Sequence, residues 1–151
     1  MTFDLLGDLD WLAVLGAAIA YFVLGAVWYA PPILGRIWME AGGATMGGPS
    51  TNGSSGTGSG GPGPAIYAVP LVGAVLASIA LGMLALATGT SGASEGLALG
   101  LVVAIGFAIP VCVVTATFET KKPRPFVWGA VNAGYHGVGV VLAALIIALM
   151  A

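Results

Sequence analysis

Four long apolar stretches constrain what this 151-residue chain can fold into. A helix needs roughly 20 apolar residues to cross a bilayer, and 58% of this chain is hydrophobic while only 7% is charged. Within lipid the backbone must satisfy its own hydrogen bonds, which favours helix for every stretch. The sequence therefore predicts an all-α integral membrane protein of one domain, with transmembrane helices near Trp11–Ala30, Ala65–Thr88, Glu95–Phe118 and Phe126–Met150.

The connections between these helices differ in length and composition. Residues 41–64 are almost wholly Gly, Ser, Thr and Pro, so this segment has little apolar surface to bury and is predicted to be a flexible, disordered linker. Before it, the apolar residues of Pro31–Glu40 fall on one helical face, which suits a helix in the membrane interface. The other two connections, Gly89–Ser94 and Glu119–Pro125, are short. Short connections favour antiparallel neighbours, and hence an up-down-up-down bundle.

The four basic residues indicate an orientation in the membrane. Arg36 lies in the first connection, and Lys121, Lys122 and Arg124 lie in the third. Because Lys and Arg concentrate in cytoplasmic loops, the first and third connections are predicted to be cytoplasmic and both termini to be outside. We expect the protein in the plasma (cytoplasmic) membrane, with membrane lipid as its surroundings.

Among Asp, Glu, Lys, Arg and His, only His136 lies in the interior of the four stretches. Such a residue is costly in lipid and counts as a candidate for a functional site. Asn132 lies four residues earlier on the same helical face, whereas Tyr135 points about 100° away. Three roles for His136 stay open: a structural hydrogen bond, a proton or solute relay, or a metal or haem ligand. The lack of neighbouring acidic, His or Cys ligands argues against metal, and we expect no cofactor.

Small residues predict where helices approach closely. The third stretch has one at every fourth position, including Gly96, Gly100 and Ala104, a spacing that favours close backbone contact. The contact is predicted either within one chain or between the chains of a homo-oligomer. Pro110 removes a helical hydrogen bond and is expected to kink this helix. Gly134 and Gly137 flank Tyr135 and His136 and would admit another backbone.

Six short segments of the chain form a recognisable set of motifs: Asp10-Trp11-Leu12-Ala13-Val14, Gly25-Ala26-Val27-Trp28-Tyr29-Ala30-Pro31, Gly35-Arg36-Ile37-Trp38-Met39, Phe118-Glu119, Lys122-Pro123 and Asn132-Ala133-Gly134-Tyr135-His136. In their order and spacing they resemble a known family of small bacterial and archaeal membrane proteins, the domain of unknown function 1761. The resemblance spans nearly the whole chain outside residues 41–64, and it implies about four membrane helices without implying an activity, substrate or cofactor.

Two of these motifs are predicted to meet at one site. Trp28 and Tyr29 end the first helix on the side where the last helix begins, so they are expected to border a pocket with Asn132 and His136 at its floor. Enzyme activity has no support, because no nucleophile–base pair, phosphate loop or paired carboxylate is present, and no basic patch suggests nucleic acid. The sequence favours a structural or interaction module that binds a partner protein or lipid. The alternative is a small transporter- or channel-like protein with a relay at His136.

Overall fold

A computed structural model describes residues 3–43 and 67–151, and no strand occurs within these two ranges. After a 3-10 turn at Phe3–Gly7 the α-helices are α1 (Trp11–Trp28), α2 (Arg36–Gly42), α3 (Ala68–Thr88), α4 (Gly92–Val103), α5 (Ile109–Phe118) and α6 (Pro125–Met150). Two π-helical segments, Pro31–Gly35 and Ala104–Ala108, precede α2 and α5.

Four helices are long and apolar enough to cross a membrane, as the sequence predicts. They are α1, α3, the continuous helix Gly92–Phe118 formed by α4, the second π-helical segment and α5, and finally α6. Over the described residues, the all-α class and the four helices long and apolar enough to span a membrane are therefore confirmed.

Local sequence signals explain where α1 begins and ends. The Asp10 carboxylate accepts hydrogen bonds from the backbone amides of Leu12 and Ala13, at 2.9 and 3.2 Å, and so caps the first turn. At the other end Pro31 and Pro32 have no amide hydrogen, and a proline disfavours helical backbone in the residue before it. The helix accordingly ends at Trp28, three residues before the first proline.

The segment after α1 folds back onto the bundle. α2 packs against α6, and the Arg124 amide donates a hydrogen bond of 3.1 Å to the Ala41 carbonyl. The helix predicted to lie in the interface is therefore docked on the protein through one of its faces, while Ile33 and Ile37 stay exposed. Ala41 is buried within α2, so the first residues assigned to the linker are helical. The rest of the linker, residues 44–64, lies outside the described residues.

α6 is the central helix, since it packs against all five other α-helices. Against α4 and α5 it runs antiparallel: a Cβ on Gly96 would meet Ala148 near one end, and a Cβ on Gly129 would meet Ala116 near the other. Against α1 it also runs antiparallel, because Tyr21 packs on Gly139 and Trp28 on Gly134. Small residues fill these contacts, which explains how one helix reaches so many neighbours.

Pro110 sits at the start of α5, immediately after the π-helical segment Ala104–Ala108. A π turn widens the helix by one residue, which gives the proline ring room where it would otherwise meet the carbonyl four residues earlier. The irregularity expected at Pro110 thus takes the form of a π-helical segment in the preceding turn.

α3 contacts the bundle unevenly along its length. Its second half contributes buried residues, including Ser78, Leu81 and Ala85. The residues of its first turns, such as Val69 and Val72, are exposed. The start of α3 therefore stands away from α6, and this separation leaves room for a pocket.

Candidate functional site

Three aromatic side chains join α1 to α6, and each lies on a glycine of the opposite helix. The Tyr21 ring occupies the space where a Cβ on Gly139 would be. In the reverse direction, the Tyr135 hydroxyl lies 3.0 Å from an ideal Cβ on Gly25. Because these glycines carry no side chain, the rings can lie flat on the opposite backbone, and their polar groups reach fixed positions between the helices.

The third such contact is made by Trp28, whose ring lies 2.8 Å from an ideal Cβ on Gly134. Its indole Nε1 donates a hydrogen bond of 3.0 Å to the Val131 carbonyl. A buried indole needs an acceptor, and this bond supplies one. Trp28 therefore fixes the end of α1 on α6, and it is not among the residues that line the pocket.

His136 is paired with Tyr21 at mid-depth. The Tyr21 hydroxyl and Nδ1 of His136 are 2.8 Å apart. At 1.5 Å per residue, His136 lies roughly 16 Å along α6 from Pro125, near the middle of a hydrocarbon core about 30 Å thick. No hydrogen bond joins His136 to Asn132 within the described residues, although the two share a helical face. The partner of His136 is a hydroxyl on the neighbouring helix.

Asn132 accepts two hydrogen bonds through its Oδ1 atom. The Tyr29 hydroxyl donates at 2.7 Å and Nε1 of Trp38 donates at 3.0 Å, while the Tyr29 and Trp38 rings meet edge to face with centroids 5.3 Å apart. Asn132 thus ties the end of α1 and the helix α2 to α6.

Tyr135 connects the two polar pairs. Its ring centroid is 5.3 Å from Tyr21, 5.3 Å from Tyr29 and 4.7 Å from His136. The angle of about 100° between neighbouring residues suggested that Tyr135 need not share a partner with His136. In the structure both side chains contact Tyr21, because long aromatic side chains reach across the helix surface.

A pocket of about 910 Å³ lies between α1, α3 and α6, with Trp38 of α2 at one end. This volume falls within the range of about 300–1,000 Å³ typical of small-molecule sites. Tyr21 and His136 lie on its wall at mid-depth, whereas Tyr29 and Tyr67 lie toward the end where α1 stops and α3 starts. One turn beyond Tyr21 and His136, Ala17 and Val140 are buried core residues.

The lining is apolar apart from a few hydrogen-bonding groups. The side chains that can form hydrogen bonds are His136, Trp38 and the four tyrosines, at 21, 29, 67 and 135. None of the lining residues is Asp, Glu, Lys or Arg. Among the described residues, no group of three or more His, Cys, Asp or Glu side chains is placed to hold a metal ion. The pocket therefore suits an uncharged lipophilic molecule with a polar group.

Apart from Gly134, which lies under Trp28, the small residues predicted to pack helices lie where α6 meets the third spanning helix. An ideal Cβ on Gly100 would be 2.7 Å from Cα of Val141, and Gly137 faces Ile109 at 3.4 Å. Gly96 and Ala104 are buried as well. The row of small residues in the third spanning helix is therefore used within the chain, where it fixes α6 in position, and it does not reach the pocket.

Two residues of this site received no functional role from the sequence: Tyr21 and Trp38. Tyr21 lies in the interior of an apolar helix, where a phenol needs a hydrogen-bond partner. That need is the sequence signal that could have marked Tyr21 as a polar contact between helices. Trp38 was recognised only as an aromatic residue of an interfacial segment. Its contact with Asn132 depends on how α2 docks, which no local pattern encodes.

The fold and the site define a multi-helix membrane protein with an internal pocket that opens between its helices. The model of a family described as Protein of unknown function (DUF1761) matches residues 12–148. The chain belongs to this family, as the motifs around Trp28 and His136 indicated. No curated protein and no solved structure matches it.

Proposed function

We propose that the protein is a binding module of the membrane that holds a lipophilic molecule, taken from the bilayer, in the pocket beside Tyr21 and His136. The observation that carries the proposal is the pocket itself, which reaches mid-depth and is lined by aromatic and small residues. In this role the Tyr–His pair and Asn132 hold the walls in place, and the protein binds without catalysis.

The proposal includes an orientation. The first and third connections meet at one end of the bundle, where Arg124 pairs with Glu40 at 3.2 Å and the Arg124 amide bonds to Ala41. Since all four basic residues lie in these connections, the positive-inside rule supports an up-down-up-down bundle with this end in the cytoplasm and both termini outside. The pocket mouth near Tyr67 is then at the inner leaflet of the plasma membrane.

A transporter-like function with a proton or solute relay at His136 is the second candidate. The observation in its favour is that His136 faces a pocket large enough for a solute. A relay would need polar groups leading onward to the other side of the membrane. Further along the three helices, Ala17, Leu81 and Ala143 belong to the buried apolar core, in which Ser78 is a single polar residue rather than part of a chain of polar groups. Binding within a closed-ended pocket is therefore the better supported function.

The pocket can be tested by filling it. Gly73 lines the pocket, and no atom of the described residues lies within 4 Å of an ideal Cβ on it, so Gly73→Phe adds a ring at the pocket wall without a backbone clash. Gly106 also has open space but lies outside the pocket, so Gly106→Phe is the matched control. In liposomes that contain a diazirine-labelled fatty acyl lipid, we expect Gly73→Phe to lower photolabelling of pocket peptides about tenfold, equivalent to roughly 1.4 kcal/mol.

Equal labelling of Gly73→Phe, Gly106→Phe and the parent protein would contradict a binding role for the pocket. A proton or solute flux in protein-containing liposomes that His136→Gln abolishes would instead support the relay.

A further inference from the structure

The two nitrogens of the His136 ring have different surroundings. Nδ1 is 2.8 Å from the Tyr21 hydroxyl, whereas Nε2 has no hydrogen-bond partner among the described residues. His136 is an exposed residue and is one of those that line the pocket. Lipid cannot form a hydrogen bond with a polar atom at this depth. Nε2 is therefore a group to which a bound molecule can supply the missing hydrogen bond.

The bond to Tyr21 decides which nitrogen carries the proton. Nδ1 is the only acceptor near the Tyr21 hydroxyl within the described residues, and a hydroxyl hydrogen without an acceptor in apolar surroundings is unfavourable. The phenol therefore donates to Nδ1. A neutral imidazole that accepts at Nδ1 carries its hydrogen on Nε2. The group that His136 presents to the pocket is consequently a hydrogen-bond donor.

The rest of the lining restricts the charge and shape of the ligand. Without Lys or Arg in the lining, a phosphate or carboxylate at this depth would be an uncompensated charge, which is strongly unfavourable. The Phe22, Tyr29 and Trp38 rings offer surfaces on which a flat ring can pack.

The geometry points to a neutral, lipid-soluble ring compound with a carbonyl group, the quinone class, whose carbonyl oxygen accepts a hydrogen bond from Nε2 of His136. This inference rests on the proposed binding function and names its ligand class. Tyr21 acts as a positioning residue because it fixes the tautomer and the orientation of the imidazole. The ligand ring lies among Phe22, Tyr29 and Trp38, toward the end of the pocket where α1 stops and α3 starts.

The single histidine of the chain makes a direct test possible. Protein labelled with ¹⁵N-histidine in lipid nanodiscs is titrated with 1,4-naphthoquinone and, separately, with naphthalene, which has the same ring system without carbonyls. We expect the Nε2-protonated tautomer in the free protein. We expect naphthoquinone to shift the Nε2 resonance saturably, and naphthalene to bind without that shift.

Binding constants, corrected with empty nanodiscs, provide the second measurement. His136→Phe should weaken naphthoquinone binding about fivefold to tenfold, the loss expected for one hydrogen bond, and should leave naphthalene binding unchanged. His136→Gln keeps an N–H donor and should recover part of the loss. Tyr21→Phe should free the tautomer, so that both ring nitrogens show averaged shifts.

The outcomes separate the ligand class from the pocket. If both ring compounds bind the parent protein equally and the Nε2 resonance does not shift, the hydrogen bond from His136 to a ligand carbonyl is overturned. The binding role of the pocket would remain. If neither compound binds and Gly73→Phe leaves lipid photolabelling unchanged, the proposed binding function itself fails.

Discussion

At the scale of single residues, the polar groups of this protein are arranged as two nodes on α6. His136 bonds to Tyr21, and Asn132 accepts from Tyr29 and Trp38. In an apolar surrounding each such bond contributes about 1 kcal/mol or less, because the separated helices find other partners. Their greater effect is to fix the rotation of α1 and α6 about their axes, since only one rotation brings these groups together.

The Asn132 node predicts a graded response to mutation. Trp38→Phe removes one of the two donors while keeping a ring against Tyr29, so we expect a loss of about 1 kcal/mol in the free energy of unfolding. Asn132→Leu removes the acceptor and leaves both donors unsatisfied, so the loss should be about 2–3 kcal/mol. Unfolding by denaturant titration in mixed micelles measures both changes. The matched control is Tyr67→Phe, since the Tyr67 hydroxyl is exposed and has no hydrogen bond among the described residues.

Equal stabilities for Asn132→Leu and the parent protein would show that the Asn132 hydrogen bonds do not hold α2 on α6. Asn132→Asp keeps the acceptor but adds a charge, and its effect would separate hydrogen bonding from electrostatics.

At the scale of the elements, α6 has two faces with different tasks. One face presents Gly129, Gly137 and other small residues to α4 and α5, where backbones come close. The other face carries Tyr135 and Gly139, on which the Tyr21 ring packs, and it forms one wall of the pocket. The tight face holds α6 in place, so that the pocket face keeps its shape.

Close packing on the tight face can be tested at Gly100. An added methyl group would lie 2.7 Å from Cα of Val141, an atom of the backbone that cannot move aside cheaply. We expect Gly100→Ala to lower the free energy of unfolding by about 1–3 kcal/mol through overpacking. Gly106→Ala in the same spanning helix meets nothing within 4 Å. It should be neutral or slightly stabilising, because alanine restricts the unfolded chain.

If both alanine variants have the same stability, α4 and α6 do not pack as closely as the structure indicates. A homo-oligomer stays a prediction, and the position of Gly100 against α6 bears on it. Since this row of small residues is occupied within the chain, an oligomer would have to form through other surfaces.

At the scale of the whole molecule, two features depend on contacts between distant parts of the chain. The first and third connections meet at one end of the bundle, and at the same end the start of α3 stands apart from α6. Arg124, Lys122 and Glu40 all lie at this end, where Lys122 also pairs with Glu119 at 3.5 Å and lies 4.4 Å from the Trp128 ring centre. The ion pairs are partly or largely exposed and contribute little to stability. Their importance is that they place the basic residues on one side, next to the pocket mouth.

The proposed orientation predicts the labelling of single cysteines in intact cells. In a Cys112→Ala background, a membrane-impermeant maleimide should modify Gly7→Cys and Ser91→Cys from outside, since both positions are exposed beyond the helices. Thr120→Cys in the third connection should react only after the membrane is permeabilised. The reverse pattern would show that the basic connections face outward and would move the pocket mouth to the outer leaflet.

The sequence by itself indicated that lipid surrounds the helices, and it determined the secondary structure and the number of long apolar helices. Length and apolarity predicted four spanning helices, and local signals such as Asp10 and Pro31 explain where α1 starts and stops. These properties are local, because a helix in lipid satisfies its hydrogen bonds within one segment. The special status of His136 followed in the same way, from the rarity of an ionisable residue at that depth.

Only the tertiary structure decided which side chains meet. In a chain whose helices are apolar on every face, no amphipathic pattern tells which face is inside, so rotation and pairing depend on the fit of large side chains against small ones. That fit joins Tyr21 to His136, gives Asn132 two donors and turns Trp28 away from the pocket. It also holds the start of α3 apart from α6, and the pocket exists because of that separation.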